Sequence, residues 1–535
     1  MALNNGRRGS QRNRFGNVVL LLCVFAPSVW MIANVPPLWR DADAYNQLTR
    51  DPLISTFWGW QPAYGYLSKV PLLLTEQIEL LTGHAQPRSH PPSEVLALSD
   101  SGIASLILAQ HLALGISALG FIRAITSVFW LRLVLSLGWA SNALFYTFAH
   151  CVGSESLSLI LIVFLVTRGV RLVQSDGEPG WSKWYLFAIT LWLCLLSRQI
   201  NGLLIFLLPA AFVLAWTQLR IAKFFNASPT QKTLRAESPS LRHAIVAMAI
   251  GLACVFVGGS QAKNLASKTK LHPHSRLGYT FLWRLQFLNT LPPEARTSLL
   301  NKLTDRTRSP ETRKLLTLLS QVQDEGSFSP GQFPPRAAPL LFPRETTVPW
   351  EKVDLALNGM AFAFLVPPSP ELLQAARIDF GLARTISVTE ITDHLFEMTT
   401  YFFEHPDEMP SCASLVTFRD YDTEKIMRMP SQLPYFHLWK GLSYNRTLLI
   451  WLVSLAGLIG VSFKRKLNVA AIAGFGIALV AVGALMVAIT CLLGESLPRY
   501  ALPMWQMLLL SFWLFVGQAG DRLVKRQSCQ TPVAT

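Results

Sequence analysis

An all-α membrane fold is the class this sequence predicts: a polytopic bundle of about ten transmembrane helices with a large, irregular, mostly helical extracytoplasmic loop domain. Three observations predict it. Hydrophobic residues make up 51% of the chain and charged residues only 15%. Runs nearly free of charge recur along it, each close to the roughly 20 residues that cross a bilayer as a helix. Lys and Arg gather in alternate short loops, so the formal net charge of +15 follows membrane topology and not a nucleic-acid surface.

The apolar windows run over 17–35, 101–120, 125–148, 151–167, 183–198, 201–217, 243–260, 446–462, 469–492 and 500–517. The first is long, continuous and without a small-residue cleavage site, so it reads as a retained span and not a removed signal peptide. The fifth and sixth share one apolar stretch, and the interruption "SRQIN" (Ser197 to Asn201) makes them a hairpin. Lys69 to Leu81 is too short and too charged to cross and reads as a helix lying in the interface. The seven cysteines show no C-x-x-C spacing and most lie in apolar runs, so they act as small hydrophobes and not as a disulfide framework or a zinc site.

Basic residues set the orientation. One set of loops holds Arg7, Arg8, Arg12 and Arg14; Arg123; Arg168, Arg171 and Lys183; Arg220 to Arg242; Lys464 to Lys466; and Arg522 to Arg526. The short loops on the other side hold only Arg198 and Arg499. Both termini are therefore expected in the cytoplasm. The chain divides into an N-terminal transmembrane module (1–260, with an outer loop at 36–100), an extracytoplasmic loop domain (261–445), a C-terminal transmembrane module (446–520) and a cytoplasmic tail (521–535) expected to be disordered. In the loop domain, Leu299, Leu300, Leu303, Leu315, Leu316 and Leu319 recur at helical spacing.

This topology puts the unusual polar turns on one side. They are Asp41 and Asp43, "HCVGSES" (His150 to Ser156), "SRQIN", "HPHSRLGY" (His272 to Tyr279) and "GESLPRY" (Gly494 to Tyr500). Ionisable groups are costly beside lipid, so they face a cavity and one another. Asp41 and Asp43 suit a general base, or a divalent cation as cofactor; the same spacing fits an N-cap on a helix starting near Ala44. Arg198, Arg276 and Arg499 can fork onto phosphate oxygens, or pair with acids such as Glu155 and Glu495. His272 and His274 flank Pro273, which makes a loop there and argues against metal ligation. Glu155 is an acid on the outer end of a helix, or its solvated cap.

These residues, in this order and topology, resemble the GT-C superfamily of integral membrane glycosyltransferases, nearest to the protein O-mannosyltransferase and aminoarabinose lipid A transferase branch. Those proteins carry a D-E-x-x-Y motif in the first outer loop; "DADAY" keeps Asp41 and Tyr45, puts Ala42 in place of the second acid and adds Asp43. "RYALP" matches their R-Y-x-x-P element through Arg499, Tyr500 and Pro503. The likeness covers 1–260 and 446–517; the segment 261–445 has no counterpart in it. It implies sugar transfer from a polyprenyl-phosphate-linked donor to a lipid, glycan or protein acceptor on the outer face. Asp41 or Asp43 would be the base, and Tyr45, Glu155, Arg198, Arg276, Arg499 and Tyr500 would bind substrate.

A transporter or flippase of a lipid-linked or anionic substrate is the rival reading; it predicts polar residues at mid-membrane and repeated halves, and neither is evident. A surface-polysaccharide ligase and a non-catalytic assembly protein are further rivals. The short tails and the lack of a retention signal point to a bacterial inner membrane. The expected partners are the lipid donor, its acceptor and membrane lipids, with no nucleic acid.

Overall fold

Backbone polar groups find no water inside a bilayer, so any segment that crosses one satisfies its hydrogen bonds internally, as a helix does. The structure, a computed structural model, describes residues 3–51, 62–83, 94–175, 178–225, 237–269, 277–345, 349–409, 412, 415–432, 442–461, 466–494 and 498–530. Among these, seven helical segments are long and apolar enough to span: 16–34, 100–125, 154–173, 199–218, 241–261, 470–493 and 498–525. Three shorter apolar helices, at 129–140, 181–197 and 444–460, fall below that length.

In chain order the elements begin with α1 (Leu3–Asn34), β1 (Leu38–Trp39), α2 (Ala42–Thr49) and α3 (Pro62–Leu81). Then come α4 (Asp100–Ile125), α5 (Phe129–Ala140), α6 (Ala143–Ala149), β2 (Cys151–Val152), α7 (Ser154–Val173) and α8 (Trp181–Ser197). A 3-10 stretch (Gln199–Phe206) leads into α9 (Leu207–Phe225), followed by α10 (Glu237–Thr269). The extramembrane part has α11 (Leu277–Arg284), α12 (Pro293–Arg306), α13 (Pro310–Asp324), α14 (Phe333–Leu341), α15 (Trp350–Leu365), α16 (Pro370–Ala383), α17 (Val388–Glu404), α18 (Val416–Arg419) and α19 (Thr423–Gln432). Last come α20 (Tyr444–Val461), α21 (Lys466–Leu493), a 3-10 turn (Pro498–Ala501) and α22 (Leu502–Gln530).

The chain departs from the sequence expectation in four places. The window 125–148 is two helices, α5 and α6, broken at Ser141 and Asn142. The Ser141 hydroxyl donates back to the Gly138 carbonyl at 2.7 Å, the local competition by which such residues end helices. The segment expected to form one loop domain divides. Residues from Phe281 to Leu372 form their own core, which includes all six leucines named above, whereas Ala383 to Met429 belong to the core of the membrane part. The expected tail is helical as far as Gln530.

The interfacial helix is longer than expected. α3 starts at Pro62, turns Ala63, Tyr64, Ser68, Lys69 and Leu72 inward and leaves Tyr66, Leu67, Val70, Leu73, Leu74, Ile78 and Leu81 exposed. An outward apolar face is what such a helix presents to lipid. The "SRQIN" interruption is the α8 to 3-10 junction, where the buried Asn201 amide donates to Ser158 Oγ (2.8 Å), the Cys194 carbonyl (2.9 Å) and Ser197 Oγ (3.0 Å).

A polar chain ties α1, α4 and the end of α6 together. Ser28 Oγ lies 2.9 Å from His111 Nδ1, His111 Nε2 lies 3.0 Å from His150 Nδ1, and His150 Nε2 lies 2.9 Å from the Val35 carbonyl. Burial pushes the His150 imidazole down to about 4, and its bonds to the Val35 and Pro36 carbonyls oppose that shift without overcoming it. The folded state therefore holds His150 neutral while the unfolded chain takes up a proton near its ordinary value of about 6.5. Stability should be full above about pH 6.5 and fall progressively as the pH drops toward 4. Thermal melting of the detergent-solubilised protein across that range checks this, and His150→Gln should flatten the dependence.

Candidate active site

A two-residue parallel ladder builds the site. Leu38 pairs with Cys151 and Trp39 with Val152, through Leu38 N–H to the His150 carbonyl (3.1 Å) and Arg40 N–H to the Val152 carbonyl (3.3 Å). This register fixes the chain leaving α1 beside the chain entering α7, so Arg40 and Glu155 meet although 115 residues separate them. Arg40 Nη1 donates to Glu155 Oε2 at 2.8 Å and to Ser154 Oγ at 2.9 Å, and Arg40 Nη2 donates to Asp41 Oδ1 at 2.7 Å. Gly153 permits the approach. A Cβ there would lie 3.0 Å from Arg40 Cβ and 3.3 Å from Glu155 Oε2.

The ion-pair chain continues at both ends. Arg198, the residue that ends α8, places Nη2 3.2 Å from Glu155 Oε1. Arg499, in the 3-10 turn before α22, places Nη2 3.3 Å from Asp41 Oδ2 and donates Nη1 to the Arg40 carbonyl at 3.3 Å. Its guanidinium also sits 5.3 Å from the ring centre of Tyr500. The Glu155 side chain is 1% exposed and that of Arg40 8%. Burial lowers the affinity of the Arg40 guanidinium for its proton, yet Asp41, Glu155 and Asp43 outweigh it and hold the group firmly charged. Three guanidinium groups thus share two carboxylates, with Asp43 within electrostatic reach of Arg40.

All these groups sit at helix ends: the exit of α1, the first turn of α7, the exit of α8 and the approach to α22. At the far end of α22, Asp521 Oδ1 accepts from Thr126 Oγ1 (2.8 Å) and Ser127 N–H (3.3 Å), just past the exit of α4. The alternation of helix directions brings the "RDADAY" (Arg40 to Tyr45), "HCVGSES" and "SRQIN" turns and the Pro498–Ala501 turn to one end of the bundle.

Asp41 is also the N-cap of α2, with Oδ1 accepting from Ala44 N–H at 2.9 Å, so the capping reading of this spacing describes the geometry. Both of its oxygens are engaged. A divalent cation does not fit there, since arginines and a backbone amide occupy the carboxylate. Among the described residues no group of three or more His, Cys, Asp or Glu side chains is arranged to hold one. Tyr45 does not join the cluster; it is buried beneath it and donates its hydroxyl to the buried Glu94. Arg276, with His272, His274 and Glu495, lies outside the described residues.

Sequence reasoning missed Arg40, the hub of the chain, although it stands next to Asp41. A basic residue in an otherwise acidic outer turn, where the charge bias predicts none, was the signal. Compared with known proteins, the chain matches no family model, no curated protein and no solved structure.

Two substitutions probe the arrangement. Glu155→Gln leaves Arg40 and Arg198 buried without a carboxylate and should cost about 3–5 kcal/mol. Gly153→Ala should cost about 1–3 kcal/mol by pushing Arg40 off its partners. Both are read as a drop in the melting temperature of the purified protein.

Proposed function

We propose that the protein is a membrane glycosyltransferase that moves a sugar from a polyprenyl-phosphate-linked donor to an acceptor hydroxyl at the extracytoplasmic membrane surface. The observation that carries this reading is the chain of three arginines at one end of the bundle. Arg40 Nε and Arg499 Nε are buried there with no acceptor among the described residues. A guanidinium with unused donors, fixed at a membrane face, suits a phosphate that gains charge as the sugar leaves. The resemblance of "DADAY" and "RYALP" to GT-C motifs points the same way.

In this mechanism Arg499, the member held by the longest contacts, turns its fork onto the lipid phosphate, and Arg198 supports it. Asp41 is first a positioning group: Oδ1 accepts from Arg40 and the Ala44 amide, and Oδ2 pairs with Arg499. Tyr500 lines the path beside Arg499. The cluster sits at helix ends, whereas a transport site would call for polar groups at mid-membrane. The reading places both termini in the cytoplasm and the site on the outer face of a bacterial inner membrane.

Purified protein in lipid nanodiscs, given a panel of radiolabelled polyprenyl-phosphate hexoses and pentoses with membrane-extract acceptors, should transfer label. Arg499→Ala should lower the rate by ~100- to 1,000-fold, as loss of a charge-stabilising donor does. Arg499→Lys should restore little of it, because lysine cannot fork. Absence of transfer from every donor in the panel would refute the reading.

A further inference from the structure

Sugar transfer to a hydroxyl needs a group to receive the hydroxyl proton, and in the resting site Asp41 Oδ1 already accepts two hydrogen bonds and Oδ2 is paired with Arg499. The covering helix, α17, offers another group. A capping box at Ser387 and Glu390 starts α17, and its apolar face, including Ile391, Leu395, Phe396 and Phe402, packs into the core of the membrane part. Two contacts fix it over the ion-pair chain. Trp505 Nε1 of α22 donates to the Ile386 carbonyl at 3.2 Å, and Trp39 N–H of β1 donates to Thr399 Oγ1 at 2.9 Å.

His394 lies between those two anchors, on the edge of the buried face, with its side chain 15% exposed. Its Nδ1 lies 3.8 Å from Glu397 Oε2, which favours the proton on that nitrogen. Its Nε2 is buried and has no hydrogen-bond partner among the described residues. α17 also packs against the turn that carries Arg499, close enough for the two side chains to interact electrostatically. The extramembrane segment thus contributes a buried ring nitrogen with a free lone pair beside the arginine assigned to the phosphate.

We propose that His394 Nε2 is the proton acceptor for the incoming hydroxyl, an inference that rests on the glycosyltransferase reading above. The hydroxyl O–H proton passes to Nε2 as that oxygen bonds to the anomeric carbon. The bond from the anomeric carbon to the phosphate oxygen breaks, its electron pair stays on the polyprenyl phosphate held by Arg499, and the imidazolium returns its proton to solvent after product leaves. One base suffices for such an inverting displacement, because the phosphate needs no protonation to depart. Burial, and then the charge of Arg499, hold the imidazole below its ordinary range against the opposing pull of Glu397, so it is neutral and basic at pH 7.

The test measures transfer by the purified protein with a polyprenyl-phosphate sugar over pH 5–8. The wild-type rate should fall on the acid side with an apparent pKa below the ordinary ~6.5 of histidine. His394→Gln should lower the rate ~100-fold with donor KM unchanged and lose that acid limb, and added imidazole should partly rescue His394→Ala. The inference is overturned if His394→Gln stays within about threefold of wild type and keeps the acid limb while Arg499→Ala is inactive; sugar transfer then stands without it. A wild-type profile flat across pH 5–8 overturns it irrespective of how the variants fold. Wild-type protein that transfers nothing overturns the underlying glycosyltransferase reading instead.

Discussion

The buried contact between Arg40 and Glu155 is the constraint on which this end of the bundle depends. Taking two charges out of water costs several kcal/mol for each, and attraction offsets that only when remaining donors and acceptors are matched. Here Glu155 has an arginine beside each oxygen and Arg40 reaches Asp41 and Ser154 as well as Glu155, while Arg40 Nε and Arg499 Nε are left without an acceptor among the described residues. The carboxylate also sits in the first turn of α7, where the helix dipole favours negative charge. Without this pairing, Arg40, Arg198 and Arg499 would repel one another at the point where the ends of α1, α8 and α22 converge.

Around that constraint the extramembrane segment takes on two roles. The portion from α11 to α16 closes on its own apolar core and touches the membrane part through residues such as Leu492 at the end of α21. The portion from α17 onward has no separate core. Phe418 meets Trp39 edge-on and Phe403 at a tilt, and Asp100 at the start of α4 accepts from Val416 N–H and the Thr417 hydroxyl. This second portion acts as a roof whose fit depends on the helices under it.

Features set by local pattern were legible in the sequence: seven of the apolar helices, the break at "SRQIN", the leucine periodicity of α12 and α13, and the capping spacing of Asp41. Each is written within a few turns of chain. The break between α5 and α6 was concealed because apolar residues continue through Ser141 and Asn142 on both sides. The attachment of α17 to the membrane core was not legible, since periodicity shows that a face is buried but not against what. For the same reason Arg40 read as a flanking charge: its partners lie 115 and 459 residues away.

Those separations carry a consequence for how the chain is made. Arg40 and Asp41 leave the ribosome with the first span, but Arg499 follows 459 residues later. At the usual ~5–20 residues per second that gap lasts roughly half a minute to a minute and a half. Until then α17, which precedes α22 in the chain, has its Trp39 anchor but not Trp505, so the second of its two anchors forms only once the last helix is made. Completion of the site is thus tied to completion of insertion: a chain that stalls before its final helix keeps the Arg40 pair on Asp41 Oδ1 but lacks Arg499 on Oδ2.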